Sequence, residues 1–184
     1  MSKLFGHLIP HGRGQRSDAD MIDQRESFDT RSRAVDTHSH DIPHVHMRIT
    51  ASAATTVVAG TPIKLAGVTE IHDSHGWVMA GNNCVRYTYS VGRHSLFITN
   101  MTTTSDTNNT IVKFYYAKNG AVIEGSEIQR KIGTSGDIGA STLLDLIDTS
   151  RGDCIEVWID TDKNADITVS YMNVLAFPLE PHPR

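Results

Sequence analysis

Several features that would send a chain of this size to a membrane, to nucleic acid or through an oxidising folding pathway are scarce here. No apolar run among the 184 residues is long enough to cross a bilayer. The opening MSKLFGHLIPHGRG has one Lys and a brief apolar patch broken by His7 and Pro10, so it does not read as a secretory signal. With 17 Lys and Arg against 21 Asp and Glu, the formal charge of -4 lacks the basic excess expected of a nucleic-acid binder. Of the two cysteines, Cys84 and Cys154, each falls in a predicted strand, and the pair reads as small core fillers more than as a disulfide framework. Sustained helical periodicity is also missing: only Ser141 to Asp148 has helical character, as a single turn or a loop leading into the next strand. The expectation is a protein made and assembled in the cytosol, with neither membrane nor nucleic acid as partner.

What the sequence does contain is clearest from Cys154 to Asp160. After the Gly152-Asp153 turn, Ile155, Val157 and Ile159 point to one face, while Cys154, Glu156, Trp158 and Asp160 point to the other. The aliphatic face belongs in a core. Trp158 among acids needs a neighbour, and an oligomer contact is the expected one.

From Thr55 onward, short runs rich in β-branched and aromatic residues are separated by Gly, Asn, Asp and Ser. Val85, Tyr87 and Tyr89 alternate with polar residues, as do Val112, Phe114 and Tyr116, which predicts half-buried antiparallel strands. Lys118-Asn119-Gly120 predicts a tight hairpin, because Asn-Gly supplies the positive φ values a two-residue turn requires. Many short strands predict an all-β fold, an antiparallel two-sheet sandwich over residues 51–184. Residues 1–50 differ: charges are interspersed, aliphatics few, and only Asp18 to Arg33 suggests a short helix. They read as an extended N-terminal arm. A polar arm offsets its ordering entropy only against a partner surface, so a larger assembly is expected.

Residues 55–180 resemble the trimeric jelly rolls of the tumour-necrosis-factor and complement-globular-head type, many of which occur in bacteriophage virions. The resemblance is carried by Thr61-Pro62-Ile63-Lys64-Leu65, Asn83 to Tyr89 followed by Gly92, Ala117-Lys118-Asn119-Gly120, Leu146 to Val157, and Thr168-Val169-Ser170-Tyr171. The aromatic partner usual after Gly92 is replaced by Arg93-His94. The resemblance implies a jelly-roll sandwich and threefold association through one sheet, with Trp158 and Tyr115 at the trimer interface.

The strongest chemical signal is Thr37-His38-Ser39-His40-Asp41-Ile42-Pro43-His44-Val45-His46, which holds two His-x-His pairs. In an extended chain, residues i and i+2 share a side, so His38 with His40 and His44 with His46 can each chelate a metal through two imidazoles. Three chains around an axis would offer six nitrogens to an ion, suited to iron or another late first-row metal. This segment also resembles trimeric phage fibre proteins that use His-x-His in this way. Val35-Asp36-Thr37-His38-Ser39-His40 resembles in addition the opening of metal-dependent hydrolases. Those enzymes need further ligands on later strands separated by long helices, and no repeating strand-helix unit follows here.

Other motifs have plainer readings. Asp160 to Asp166 alternates oxygen ligands like a calcium loop, but Ala165 and Tyr171 stand where that loop needs Gly and Glu, so a hairpin turn is expected. Arg151-Gly152-Asp153 is turn chemistry, and the glycines at 133, 136 and 139 lack the Lys and Ser/Thr of a phosphate loop. Met101 to Asn109 reads as an exposed polar loop and a contact tip for a host-surface glycan. No arrangement of Ser, Cys and His suggests nucleophilic catalysis, and no catalytic residue is nominated.

The expected function is that of a structural virion protein of a bacteriophage, not an enzyme. It would be a homotrimer that decorates or cements the capsid by docking its arm on the major capsid protein or other virion proteins. Two alternatives are a fibre or receptor-binding tip for host attachment and a metal-dependent hydrolase using His38 and His40.

Overall fold

The computed structural model describes residues 42–134 and 136–179. Among them the strands are β1 (His44–Ala51), β2 (Ala54–Val57), β3 (Ile63–Lys64), β4 (Val68–His75), β5 (Trp77–Met79), β6 (Cys84–Tyr87), β7 (Arg93–Ser105), β8 (Thr110–Lys118), β9 (Ala121–Val122), β10 (Ile128–Ile132), β11 (Gly139–Thr149), β12 (Cys154–Thr161) and β13 (Ala165–Pro178). One sheet has the order β11-β7-β13-β1-β4, with β2 also on β13; the other has the order β10-β8-β12-β6-β5, with β3 on β12 and β9 on β8. Every pairing is antiparallel. From β6 onward the long strands cross repeatedly between the sheets, giving the antiparallel jelly-roll sandwich that the strand pattern predicts.

The core lies between the two sheets. Ile155, Val157 and Ile159 of β12 face it beside Val112, Phe114 and Tyr116 of β8, so the alternation in both runs reports burial as expected. Trp77 packs edge-on to Tyr87 and Phe97, with ring centroids 4.8 and 5.5 Å away, and Phe97 meets Tyr116 at 5.5 Å. The Tyr116 hydroxyl is hydrogen-bonded to Thr99 Oγ1 at 2.8 Å and donates to the Leu143 carbonyl at 3.3 Å, so a buried polar group links both sheets. Asn119 and Gly120 take φ values of 55° and 79°, the left-handed pair that the β8–β9 hairpin requires.

Four stretches differ from the sequence reading. Residues 44–50, assigned to the arm, form most of β1, an interior strand between β13 and β4. Val45 and Met47 point into the core, but His44 before them and His46 between them hide the alternation. Ser141 to Asp148 is not a helical turn but part of β11. Leu143 and Ile147 face inward while Leu144 and Leu146 are exposed outward, so a strand apolar on both faces imitates helical spacing. Met101 to Ser105 continues β7 rather than forming a loop, which leaves only residues 106–109 between β7 and β8. Finally, Cys84 and Cys154 are not separate fillers: a disulfide joins them across β6 and β12, with Cα atoms 5.9 Å apart. Cys84 lies opposite Glu156 and Cys154 opposite Arg86, so the cysteines are diagonal neighbours on one face. Their 70-residue separation gives no sequence hint of that contact.

Candidate functional site

Among the described residues, the outward face of the six-stranded sheet carries an ordered set of exposed apolar side chains. Register builds it row by row. Leu146 pairs with Leu96, which pairs with Phe177; Leu144 pairs with Ile98, which pairs with Leu175. Leu144 is 59% exposed, Leu146 47%, Phe177 40% and Leu175 36%, while Leu96 and Ile98 are half-buried between them. Directly opposed aliphatic and aromatic residues form a contiguous surface, and patches of that kind mark contact sites. The next row is polar: Thr142 donates to Asn100 Oδ1 at 2.7 Å, and Asn100 lies opposite Asn173. The patch therefore has a defined polar border.

At the patch's β1 side stand the predicted metal ligands. His46 is opposite Leu175, and His44 shares its face two residues earlier. His44 Nδ1 lies 3.0 Å from the Ile42 carbonyl oxygen, and its Nε2 lies 3.3 Å from Asp73 Oδ2. Both ring nitrogens of His44 therefore face oxygen acceptors, and an ion at Nε2 takes the place of the Asp73 contact or shares that carboxylate. Two further histidines, His72 and His75, whose spacing along the chain marks no ligand set, come alongside. His72, at the β-bulge opposite His46, has its ring 5.2 Å from that of His46, and the His75 ring is 6.5 Å from that of His44. Cross-strand register creates this group, and spacing along the chain carries no signal of it. His38 and His40 lie outside the described residues.

Trp158 and Tyr115 are brought together, but on the other sheet. They are directly opposed across β12 and β8. The Trp158 indole donates to Glu156 Oε2 at 2.8 Å, and Lys64 holds Glu156 Oε1 at 2.7 Å. Tyr115 is buried, and that burial, with the hydrogen bond and charge of Glu127, pushes its phenol well above the ordinary tyrosine range. The indole thus has partners within its own chain.

The fold of the sandwich is found in solved structures. The sandwich is a TNF-like jelly roll. It is similar to an Eiger TNF from S. frugiperda at a TM-score of 0.53 and 8% identity, covering 78% of this chain and 96% of that one. Murine APRIL at pH 5.0 gives a TM-score of 0.50 at 13% identity, covering 74% and 98%. At such identities the likeness establishes the fold alone. The PRD1 vertex protein P5 is a looser likeness, at a TM-score of 0.45 and 15% identity over 75% of this chain and 97% of that one. No protein-family model and no curated protein matches the chain.

The remaining motifs have local structural work in the TNF-like sandwich. In the Asp160 to Asp166 hairpin, Asp162 Oδ1 accepts from the Ile111 amide, Asn164 Oδ1 from the Ala59 amide, and Asp166 Oδ1 from the Thr56 hydroxyl. Those oxygens tie the hairpin to its neighbours, as a turn reading requires. Gly152 takes φ 98° in the turn before β12. There Asp153 accepts from Asn119 Nδ2 at 2.9 Å and the Ser150 amide at 2.9 Å. Burial raises the Asp153 pKa, but these hydrogen bonds and Lys118 outweigh it, so the carboxyl sits below its ordinary value. Among the described residues no strand-helix repeat of the kind a metal-dependent hydrolase barrel needs is present. Nor is there a helix long and apolar enough to cross a membrane.

Proposed function

We propose that the protein is a homotrimeric structural component of a bacteriophage virion, one that decorates or cements the capsid through its N-terminal arm. The observation that carries this reading is the paired apolar surface of Leu96, Ile98, Leu144, Leu146, Leu175 and Phe177 on an otherwise solvated sheet. Its occupants are two further copies of the chain. Burying each large aliphatic or aromatic side chain yields roughly 1.5–3 kcal/mol, enough in sum for stable association once three copies close around an axis. Contact through this face differs from contact through Trp158 and Tyr115, which lie on the opposite sheet and are already partnered.

The place in a virion is supported by the resemblance of residues 55–180 to phage jelly rolls and by the polar composition of the arm, which suits docking on neighbouring capsid subunits. Threefold symmetry multiplies weak arm contacts into avidity. His44 and His46 border the contact face, where they supply imidazoles for a late first-row ion near the trimer axis. Antibodies against the full chain test the assignment on particles of the phage that encodes it. Labelling of the shell is the expected result. Label confined to a fibre tip favours host attachment, and absence of the chain from purified particles overturns the virion reading.

A further inference from the structure

We propose that in the reduced chain Cys84, Cys154 and Glu156 form a binding site for a thiophilic divalent ion of the zinc type, and that the Cys84–Cys154 disulfide is the oxidised, metal-free state of the same site. One ligand atom from each of the three residues lies within 4.8 Å of the others, and all three are held on one face of two paired strands. Cys154 Sγ is 3.9 Å from Glu156 Oε1. A tetrahedral ion bound at about 2.3 Å to sulfur and about 2.0 Å to oxygen separates those two atoms by about 3.5 Å, so a small side-chain shift completes the geometry. Three protein ligands leave a fourth position for water.

Charge and support agree with this assignment. Two thiolates and a carboxylate carry three negative charges, and a divalent ion together with Lys64, 2.7 Å from Glu156, supplies three positive ones. The Glu156 carboxylate is fixed from both sides, by Lys64 on Oε1 and by the Trp158 indole on Oε2, which is how a ligating carboxylate is held in register. Cys84 is 2% exposed, so the site is shielded on one flank by its own sheet.

The two states interconvert by a balanced exchange. Oxidised glutathione takes two electrons from the Cys84 and Cys154 thiolates, their sulfurs join, and the glutathione, with two protons from solvent, leaves as two thiols. The ion departs hydrated. Reduction by an excess of thiol, or by a phosphine, reopens the site.

The test is anaerobic titration of the phosphine-reduced full chain with Co²⁺ alone, an optical substitute for Zn²⁺. The expected result is a thiolate-to-cobalt charge-transfer band in the near ultraviolet that saturates at one ion per chain and disappears on adding Zn²⁺. Histidine ligands give no such band, so binding at His44 and His46 is read separately. Cys154→Ser abolishes the band, and Glu156→Gln weakens binding roughly 10- to 100-fold. Because a cysteine variant can misfold, the unmutated chain oxidised with glutathione disulfide serves as a second control and shows no band. A reduced chain without the band, a band that survives in the oxidised chain, or unchanged affinity in Glu156→Gln overturns the site as drawn.

Discussion

His46 stands opposite Leu175 across β1 and β13, so an imidazole marks the edge of the apolar rows that β7, β11 and β13 turn outward. If three chains meet there and the histidines hold an ion, as proposed, packing and metal binding on that face are coupled.

Glu substitution at Leu144 or Leu175 places an unpaired carboxylate in the proposed contact. Each variant is expected to weaken association by about 2 kcal/mol or more, roughly 30-fold per contact, while the monomer stays folded. Analytical ultracentrifugation over a concentration series reads the shift. Trp158→Ala is expected to leave association unchanged and to lower thermal stability instead, because its partners are Glu156 and Tyr115 of the same chain.

Metal removal gives a second handle. Elemental analysis of the full chain with the Cys84–Cys154 disulfide formed is expected to find a late first-row ion at one per three chains, lost to a strong chelator and absent from a variant with His44→Ala and His46→Ala. Imidazoles must be neutral to ligate, so acidification is expected to release the ion. An ion retained at low pH would point to carboxylate or thiolate ligands instead.

Acid stability should report Asp153. Its pKa is depressed in the folded chain, so its contribution is complete above the unfolded value near about 3.9 and is lost as pH falls through the folded one. Asp153→Asn is expected to flatten the acid limb of a stability-versus-pH curve measured by urea denaturation. An identical limb in the variant would assign acid sensitivity to other carboxylates.

At the alkaline end the group to watch is Tyr116. Burial raises its folded pKa, so the neutral phenol's contribution is present below about 10 and lost as pH rises through the folded value. Tyr116→Phe should remove that alkaline loss. At neutral pH it should cost about 1–2 kcal/mol through the lost bonds to Thr99 and Leu143, readable by denaturant titration.

How much of this was legible in the chain depends on whether a strand has one wet face. β12 and β8 were readable because Ile155, Val157, Val112 and Phe114 alternate with residues of different polarity, and the Asn119-Gly120 turn was readable because few other dipeptides take two positive φ values. β11 and β1 were not. Leu144 and Leu146 make the outer face of β11 as apolar as its inner face, and His44 and His46 make β1 look like linker. The site suffered in the same way. Alternation separated Trp158 from the core face of β12, but which of the two outward sheet faces stays apolar depends on pairing among β7, β11 and β13, residues 93–178, and cross-strand register is not written in any one segment. The diagonal placement of Cys84 and Cys154 was hidden for the same reason.

The central claim is that three chains meet through the outward face of the six-stranded sheet, and native mass spectrometry of the full chain tests it most directly. A single species at three times the 20.2 kDa chain mass, reduced to the chain mass by Leu144→Glu, is the predicted result. A species at 20.2 kDa for the unmutated chain at micromolar concentration, or a trimer indifferent to Leu144→Glu and Leu175→Glu but dissolved by Trp158→Ala, would contradict it.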